Sequence, residues 1–366
     1  MRMSPASGRA AGRALVIGAG VSGLTTALCL RRESFAVTVV AERYAPGIAS
    51  AGAGALSLWP PAGCGHHNDS TYLDRSRKWC MVSHRTFTEL SEDPTTGIRI
   101  RPAVFYFRRP VQEDARELFK MRESSRLPQF RHDPALIGEH RVNPGSGVVD
   151  AYMHLAPVID TEAYLEWLLS RVRRSGCTIE SGRIGSDLSE NEQWLRNQYQ
   201  ADVIINCTGM GAMQLTGDCA MYPLRGALFH VRNDGSHIPR ITTAHVMAPD
   251  DSTGGQNTVF VVPRNDDTLV LGGLVEAGES SISLTYRYQP IRDMVQRCSE
   301  FLPMLHGAVP VPDPVRVGVR PARKGDVRLE VEPGTRIIHN YGHGGSGFTL
   351  SWGCAEEAAA LAAQLA

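Results

Sequence analysis

Two glycine clusters, separated by more than three hundred residues, could each contact a ligand through the backbone. Near the C-terminus, "HNYGHGGSGFTLSWG" places four glycines within six residues and continues into an apolar stretch. Near the N-terminus, a second stretch fits the pattern G-x-G-x-x-G, with Gly18, Ala19, Gly20, Val21, Ser22 and Gly23. Glycine permits close approach of the backbone, and a helix that follows it presents unpaired N–H groups to the ligand. We predict one long ligand that is contacted at both ends.

The elements around the first cluster are those of a dinucleotide-binding turn. Residues 14–17 form an apolar run that predicts a buried strand, and residues 24–30 carry apolar side chains at helical spacing. A second strand, "AVTVVAE", ends at Glu42, about twenty residues beyond the glycines. Strand, turn, helix and acid in this order predict a Rossmann-like fold that binds a dinucleotide.

Each residue of this turn has an expected role. Gly18 makes the tight turn, Gly20 lets a pyrophosphate approach the backbone, and Gly23 allows the helix to pack on the strand. Glu42 would accept hydrogen bonds from ribose hydroxyls, which indicates ADP-ribose but does not distinguish NAD from FAD. Arg43 suits the 2′-phosphate of NADP and, equally, an adenine or a pyrophosphate.

The other signals of this fold are distributed along the chain. Strands are predicted at "CTIES" and at "ADVIINCTG", which ends on another glycine turn, whereas residues 59–147 lack βαβ spacing. Two β-rich runs flank residues 264–267 and predict a hairpin. We therefore predict an α/β protein with a Rossmann-like cofactor domain (14–58, 148–215 and 316–366), an interleaved antiparallel-sheet substrate domain (59–147 and 216–315) and a flexible tail (1–13). The long interleaving favours FAD over NAD.

The composition of the chain limits which other partners we expect it to bind. The 366 residues carry a formal net charge of zero, which offers no electrostatic reason to bind nucleic acid or an anionic membrane. No apolar run approaches the roughly 18–20 residues of a membrane span, and the eight scattered cysteines are typical of reduced thiols. We expect a cytoplasmic protein. His66, His67, His245 and His343 have no carboxylate-spaced partners, so no metal site is expected.

With these motifs in order, the sequence resembles the D-amino acid oxidase family, which includes D-aspartate oxidases and is related to glycine oxidases. The resemblance covers residues 14 to about 362. It rests on "VIGAGVSGLTTALCL", "AERYAP", "ADVIINCTG", "LRGALFHV", "VGVRPARKGDVRLE" and "IIHNYGHGGSGFTLSWGCA". It implies non-covalently bound FAD and an antiparallel substrate domain.

The resemblance also implies roles for individual residues. Glu42 would hold the adenosine ribose, Arg43 and Ser50 would lie near adenine and phosphate, and Ile184 and Thr208 would line the same half. The isoalloxazine ring would be cradled by residues of the second cluster, which are Gly344, Gly345, Ser346, Gly347, Phe348 and Thr349. The N–H groups of Phe348 and Thr349 would lie near N1 and the C2 carbonyl of the flavin. A helix N-terminus there would stabilise an anionic reduced flavin.

The substrate side both matches the family and departs from it. Arg320 in "VGVRPAR" matches the family's carboxylate-binding arginine, whereas Arg316, Arg323 and Arg328 are expected to be structural. Two family tyrosines are replaced, one by Phe260 in a strand and one by about Gln256 in the expected lid. The expected catalytic positions are Arg320 and Gly345, and the expected substrate contacts are Arg320, Phe260, Gln256 and Ser346.

We therefore expect an FAD-dependent oxidase of a carboxylate-bearing amine. Hydride would pass from the substrate Cα–H to flavin N5, the imine would hydrolyse, and O2 would be reduced to hydrogen peroxide. Because Phe260 lacks a hydroxyl group, the expected substrate is an N-substituted glycine or another secondary amine of a biosynthetic pathway rather than a standard D-amino acid. The alternatives are an ordinary D-amino acid oxidase, a flavin dehydrogenase with another acceptor, and a non-catalytic FAD-binding protein. The sequence does not determine whether the protein forms a homodimer.

Overall fold

The computed structural model describes residues 11–58, 70–247 and 258–366, and only the backbone of residues 70–73. Its strands, in chain order, are β1 (Gly12–Ile17), β2 (Phe35–Ala41), β3 (Ile98–Phe107), β4 (Arg131–His132), β5 (Asp150–Ile159), β6 (Thr178–Ser181), β7 (Val203–Asn206), β8 (Met221–Arg232), β9 (Ala244–Met247), β10 (Val259–Pro263), β11 (Thr268–Gly272), β12 (Glu276–Ala277), β13 (Pro310–Arg323), β14 (Arg328–Val331) and β15 (Ile337–Tyr341). The helices are α1 (Val21–Arg32), α2 (Ser70–Leu90), α3 (Ala115–Ser124), α4 (Leu136–Glu139), α5 (Thr161–Arg174), α6 (Glu192–Tyr199), α7 (Ala212–Thr216), α8 (Gln289–Phe301) and α9 (Gly347–Leu365).

The first sheet has the order β14-β15-β7-β1-β2-β6. All its neighbouring pairs are parallel except the edge pair β14–β15. Residues 14–17 of β1 and 203–205 of β7 are apolar runs with almost no solvent exposure, as expected for parallel strands covered on both faces. The strand, glycine turn, helix and second strand predicted for residues 14–42 are all present, which confirms the Rossmann-like part of the fold.

The second sheet is antiparallel except where β3 pairs with β9. Its order is β12-β8-β11-β10-β9-β3-β5-β4, and the long strand β13 pairs with β8. α8 packs through Ile291, Met294 and Cys298 against one face of this sheet. The hairpin predicted around residues 264–267 joins β10 to β11. The chain is therefore an α/β protein in which a Rossmann-like part and an antiparallel sheet are interleaved.

Sheet membership differs from the predicted domain segments at three places. β5 and the whole of β13, which ends at Arg323, belong to the second sheet, whereas the sequence predicts residues 148–215 and 316–366 to belong to the cofactor domain. The predicted substrate segment 59–147 contains α2, whose Trp79, Cys80 and Phe87 lie in the core of the first part. Strand partners and helix contacts far along the chain produce these differences. We propose domain boundaries that follow the sheets, near residues 160 and 324.

α2 and α9 cross at very short range. A Cβ atom on Gly353 of α9 would overlap the backbone of Trp79 in α2. Ser83 Oγ lies at the same crossing and accepts the N–H groups of Trp352 (3.1 Å) and Gly353 (3.3 Å). Within the ranges given above, no helix is long and apolar enough to cross a membrane.

Replacement of Gly353 by Ala should destabilise the protein. Alanine normally favours a helix over glycine by about 1 kcal/mol, but here its methyl group must push two backbones apart, at a cost of about 1–3 kcal/mol or more. Gly138→Ala in α4 is the matched control, because nothing lies within 4 Å of a Cβ atom there. Urea denaturation should show a lower midpoint for Gly353→Ala alone. Equal midpoints for both variants would contradict this close crossing.

Candidate active site

One cavity of about 1590 Å³ is lined by both glycine clusters. Gly18 to Ser22 line it after β1, and residues from His343 to Thr349 line it between β15 and α9. Leu228, Phe260 and Arg320 of the second sheet also face this cavity. The structure therefore brings together the two clusters and three of the expected substrate residues, Arg320, Phe260 and Ser346, as one long ligand would require.

The first glycine turn is closely packed. Gly18 has φ +112°, and a Cβ atom there would collide with the carbonyl group of Cys207. A Cβ atom on Gly23 would overlap the carbonyl oxygen of Gly18, so this glycine allows α1 to pack on β1. Ser50 Oγ accepts the N–H of Val21 (3.1 Å). It also lies 3.2 Å from where a Cβ atom of Gly20 would be, so a larger residue would narrow the turn.

The residues that follow β2, the first of them acidic, line the same cavity. Glu42 and Arg43 follow β2 and line the cavity, together with Ile184 and Thr208. The Glu42 side chain is 52% exposed, and its carboxylate lies 4.0 Å from Arg183 Nε. Thr208 is held by Asn206, whose Oδ1 accepts its hydroxyl group (2.7 Å) and its N–H (3.2 Å). The residues expected around an adenosine therefore surround one end of the cavity.

The second glycine turn is hydrogen-bonded to the helix of the first. Ser22 Oγ donates to the carbonyl of Asn340 (3.3 Å), and Asn340 Nδ2 donates to Thr26 Oγ1 (3.1 Å). His343 Nε2 lies 3.1 Å from Asn340 Oδ1, and burial lowers the pKa of His343 to about 4. This histidine is therefore neutral at pH 7 and is used inside the turn. Gly344, with φ +53°, begins the short 3-10 turn that leads into α9.

A buried arginine connects the cavity wall to the second sheet. Arg264 is 4% exposed, and its guanidinium donates to the carbonyl of Ala53 (2.7 Å) and to the Thr161 hydroxyl. Ala53 belongs to the cavity-lining segment after Ser50, and Arg264 directly follows β10, the strand that carries Phe260. The two walls of the cavity are thus held together by charge-assisted hydrogen bonds, which are stronger than neutral ones. The sequence offered no signal for this role.

Arg320 faces the cavity as an unpaired cation. In the part of the chain that the structure describes, its guanidinium has no acidic partner and only a long contact, 3.4 Å, with the carbonyl of Arg225. Burial lowers the pKa of Arg320, but an arginine remains charged at pH 7. By contrast, Arg316, Arg323 and Arg328 pair with carboxylates, at 2.9 Å to Asp313, 2.8 Å to Asp218 and 2.7 Å to Glu330. These three are structural, as expected.

An apolar row crosses the cavity face of the second sheet. Strand register sets Phe260 beside Val246, Val246 beside Phe105, and Phe105 beside Tyr152. All four side chains line the cavity. The rings of Phe105 and Tyr152 stack with centroids 5.0 Å apart. Sequence analysis identified only Phe260, because cross-strand neighbours cannot be read from the alternation within one strand. Gln256 and the expected lid lie outside the described residues.

These features suit an elongated anionic cofactor at one end and a carboxylate at the other. Backbone N–H groups at two helix N-termini favour negative charge, and the planar guanidinium of Arg320 can hold a carboxylate through two hydrogen bonds. Among the described residues there is no group of three or more histidine, cysteine or acidic side chains that could hold a metal.

Comparison with known proteins identifies the family. Residues 13–361 match the family described as DAO, FAD dependent oxidoreductase. The chain is 35% identical over 363 residues to a D-amino-acid oxidase of Rubrobacter xylanophilus, with 97% of each chain covered. It is 34% identical over 355 residues to a D-amino-acid oxidase of Streptomyces coelicolor, with 96% of this chain and 97% of the other covered.

Solved structures show the same fold at lower identity. Glycine oxidase from Geobacillus kaustophilus has a TM-score of 0.74 at 15% identity, with 94% of this chain and 93% of the other covered. Iminodiacetate oxidase from Chelativorans sp. has a TM-score of 0.71 at 19% identity, with 95% of each chain covered. The family match over almost the whole length, with relatives above 30% identity, shows that this chain belongs to the DAO family of FAD-dependent oxidoreductases.

Proposed function

We propose that this protein is an oxidase of a carboxylate-bearing amine that differs from a standard D-amino acid. The observation that carries the proposal is Arg320, a cation that faces the cavity without an acidic partner in the described chain. Its strand, β13, packs against the second glycine turn. A substrate carboxylate bound there would therefore lie beside the part of the site that we assign to the flavin ring.

The described residues fit FAD along the whole cavity. The turn from Gly18 to Ser22 would meet the pyrophosphate, Glu42 the ribose, and the turn from Gly344 to Thr349 the ring. When bound, FAD supplies the two-electron oxidation of an amine to an imine. The backbone of both turns would bind FAD, which explains why glycines rather than charged side chains are concentrated there.

The protein residues position the substrate and set its charge. Arg320 would pair with the carboxylate and orient the adjacent Cα–H. The Tyr152 hydroxyl is protonated, because burial raises its pKa, and His343 is engaged within the turn. Neither provides an evident base, so we propose that the amine binds unprotonated and that no side chain removes its Cα–H as a proton. Bound FAD would supply the acceptor for the hydride, with O2 as the final oxidant and hydrogen peroxide as its product, and water would hydrolyse the released imine.

The apolar row favours a substrate with an uncharged, bulky part. Phe260 presents a phenyl ring where the family has a phenol, so one hydrogen bond to the carboxylate is absent, at a cost of about 1.5–3 kcal/mol if nothing replaces it. An N-substituted glycine or another secondary amine could offset this loss by contact with Phe260, Val246 and Phe105. Iminodiacetate oxidase shares this fold, and iminodiacetate is itself a secondary amine and an N-substituted glycine.

Ordinary D-amino acid oxidation is the second candidate, because the relatives at 35% and 34% identity carry that name. A panel of D-amino acids, glycine, sarcosine and longer N-alkyl glycines, assayed as peroxide formation, separates the two. We expect the highest kcat/KM for a secondary amine. Strong turnover of D-alanine or D-proline with weak turnover of N-alkyl glycines would contradict the proposal. Substrate reduction of the flavin followed by slow reoxidation in air would indicate a dehydrogenase instead.

Arg320→Ala should weaken substrate binding by a few hundred- to a few thousand-fold, which corresponds to about 3–5 kcal/mol for a buried charge left unpaired. Arg320→Lys should recover part of the affinity, since an ammonium group keeps the charge but loses the second hydrogen bond. Stopped-flow flavin reduction across substrate concentration separates the dissociation constant from the limiting rate. Arg323→Ala, which breaks the ion pair with Asp218, serves as the control. A change below about threefold for Arg320→Ala, well under 1 kcal/mol, would place the carboxylate elsewhere.

The purified protein should be yellow with non-covalently bound FAD. Gly20→Val should give mostly apoprotein, because the larger side chain would occupy the turn beside Ser50 and the expected pyrophosphate path. Gly138→Ala, far from the turn, should keep a full flavin spectrum. Acid precipitation of the wild type should release the flavin into the supernatant. A yellow Gly20→Val variant of normal affinity, or flavin that stays in the pellet, would contradict these assignments.

A further inference from the structure

Gly226 lies directly beneath the guanidinium of Arg320. A Cβ atom built on Gly226 would overlap Cζ and both terminal nitrogens of Arg320, at nearly equal distances from all three. Equal distances to these atoms mean that one face of the guanidinium plane covers the glycine. The side chain therefore lies flat on the second sheet, and its N–H edge is directed along the sheet surface.

The strand register explains this arrangement. Gly226 of β8 pairs with Gly318 of β13, and Arg320 pairs with Leu224. Gly226 is therefore the diagonal neighbour of Arg320 on the same face of the sheet, within reach of a long side chain. Leu224 and Leu228, two residues before and after Gly226, also line the cavity. The glycine leaves a notch between these leucines, and the guanidinium occupies it.

Backbone conformation does not account for a glycine at this position. Gly226 lies inside β8 and has no positive φ, so any residue could adopt its backbone conformation. A glycine inside a strand lowers stability and often marks close approach of another group. Here the nearest atoms to the missing Cβ all belong to the Arg320 guanidinium. We therefore attribute the glycine at position 226 to the space that the Arg320 guanidinium needs.

We propose that Gly226 is a positioning residue, which sets the height and orientation of the Arg320 guanidinium so that its N–H edge meets the substrate carboxylate. The inference rests on the proposed function of Arg320. Only the carbonyl of Arg225 accepts from this guanidinium in the described chain, at 3.4 Å. Most of its five N–H donors are thus left for a ligand. A methyl group at position 226 would lift the guanidinium and misalign these donors.

The test is the affinity of the FAD-loaded protein for benzoate, a carboxylate with an apolar ring, measured from the change in flavin absorbance. Gly226→Ala should weaken binding by about 10- to 100-fold, the equivalent of one hydrogen bond to a charged group. Gly138→Ala should leave the affinity unchanged. In an Arg320→Ala background, Gly226→Ala should add less than about twofold, since the group that it displaces is gone.

The double variant separates positioning from a general structural effect. A Gly226→Ala effect of equal size with and without Arg320 would overturn the proposal, and so would an Arg320→Ala variant that binds benzoate like the wild type. Should Gly226→Ala fail to fold, the double variant should fold, because Arg320→Ala removes the clashing group; failure of both would also overturn it. The proposed function has a separate readout. If the benzoate affinities of the single and double variants are as expected but the protein oxidises no amine, the positioning role of Gly226 stands and the proposed function is rejected.

Discussion

The parallel pairing of β7 with both β1 and β15 is the constraint on which the whole site depends. The register sets Ile17, Asn206 and His339 side by side, so the three strands leave the sheet at the same edge. Each strand is followed by a glycine turn that faces the cavity. Parts of the chain separated by more than three hundred residues thereby line one cavity. A one-residue slip of β7 would turn its side chains to the opposite face of the sheet and break this alignment.

β13 connects this edge to the second sheet. It packs against three cavity loops, Ala49–Gly52, Gly209–Gly211 and Gly344–Ser346. The approach is close, since a Cβ atom on Gly52 would lie 3.4 Å from the carbonyl oxygen of Val317. Because the same strand carries Arg320, the distance between the backbone of this proposed carboxylate anchor and the glycine turns is set by backbone packing.

Two neighbouring arginines differ in whether an acidic side chain of the described chain pairs with them. Arg225 is buried and pairs with Glu276 at 2.8 Å, and it also donates to the carbonyl of Ser281 at 3.1 Å. Arg320, whose guanidinium touches the backbone of the same strand, has no such partner in the described chain. A buried cation without an acidic partner destabilises the free protein, and the carboxylate ligand that we propose would offset that cost. The difference lies in the surroundings, since the residue type is the same.

The sequence by itself determined the elements with strong local signals: the strand, glycine turn and helix at residues 14–30, the second strand ending before Glu42, and the hairpin around residues 264–267. It also placed Arg320 and the second glycine turn at one site, through resemblance. It did not show that β5 and β13 join the second sheet, nor that Phe105 lies in line with Phe260. Only the tertiary structure decided these points, because strand partners and side-chain notches such as that at Gly226 arise from contacts between distant residues, whereas periodicity reports only which face of its own element a residue occupies.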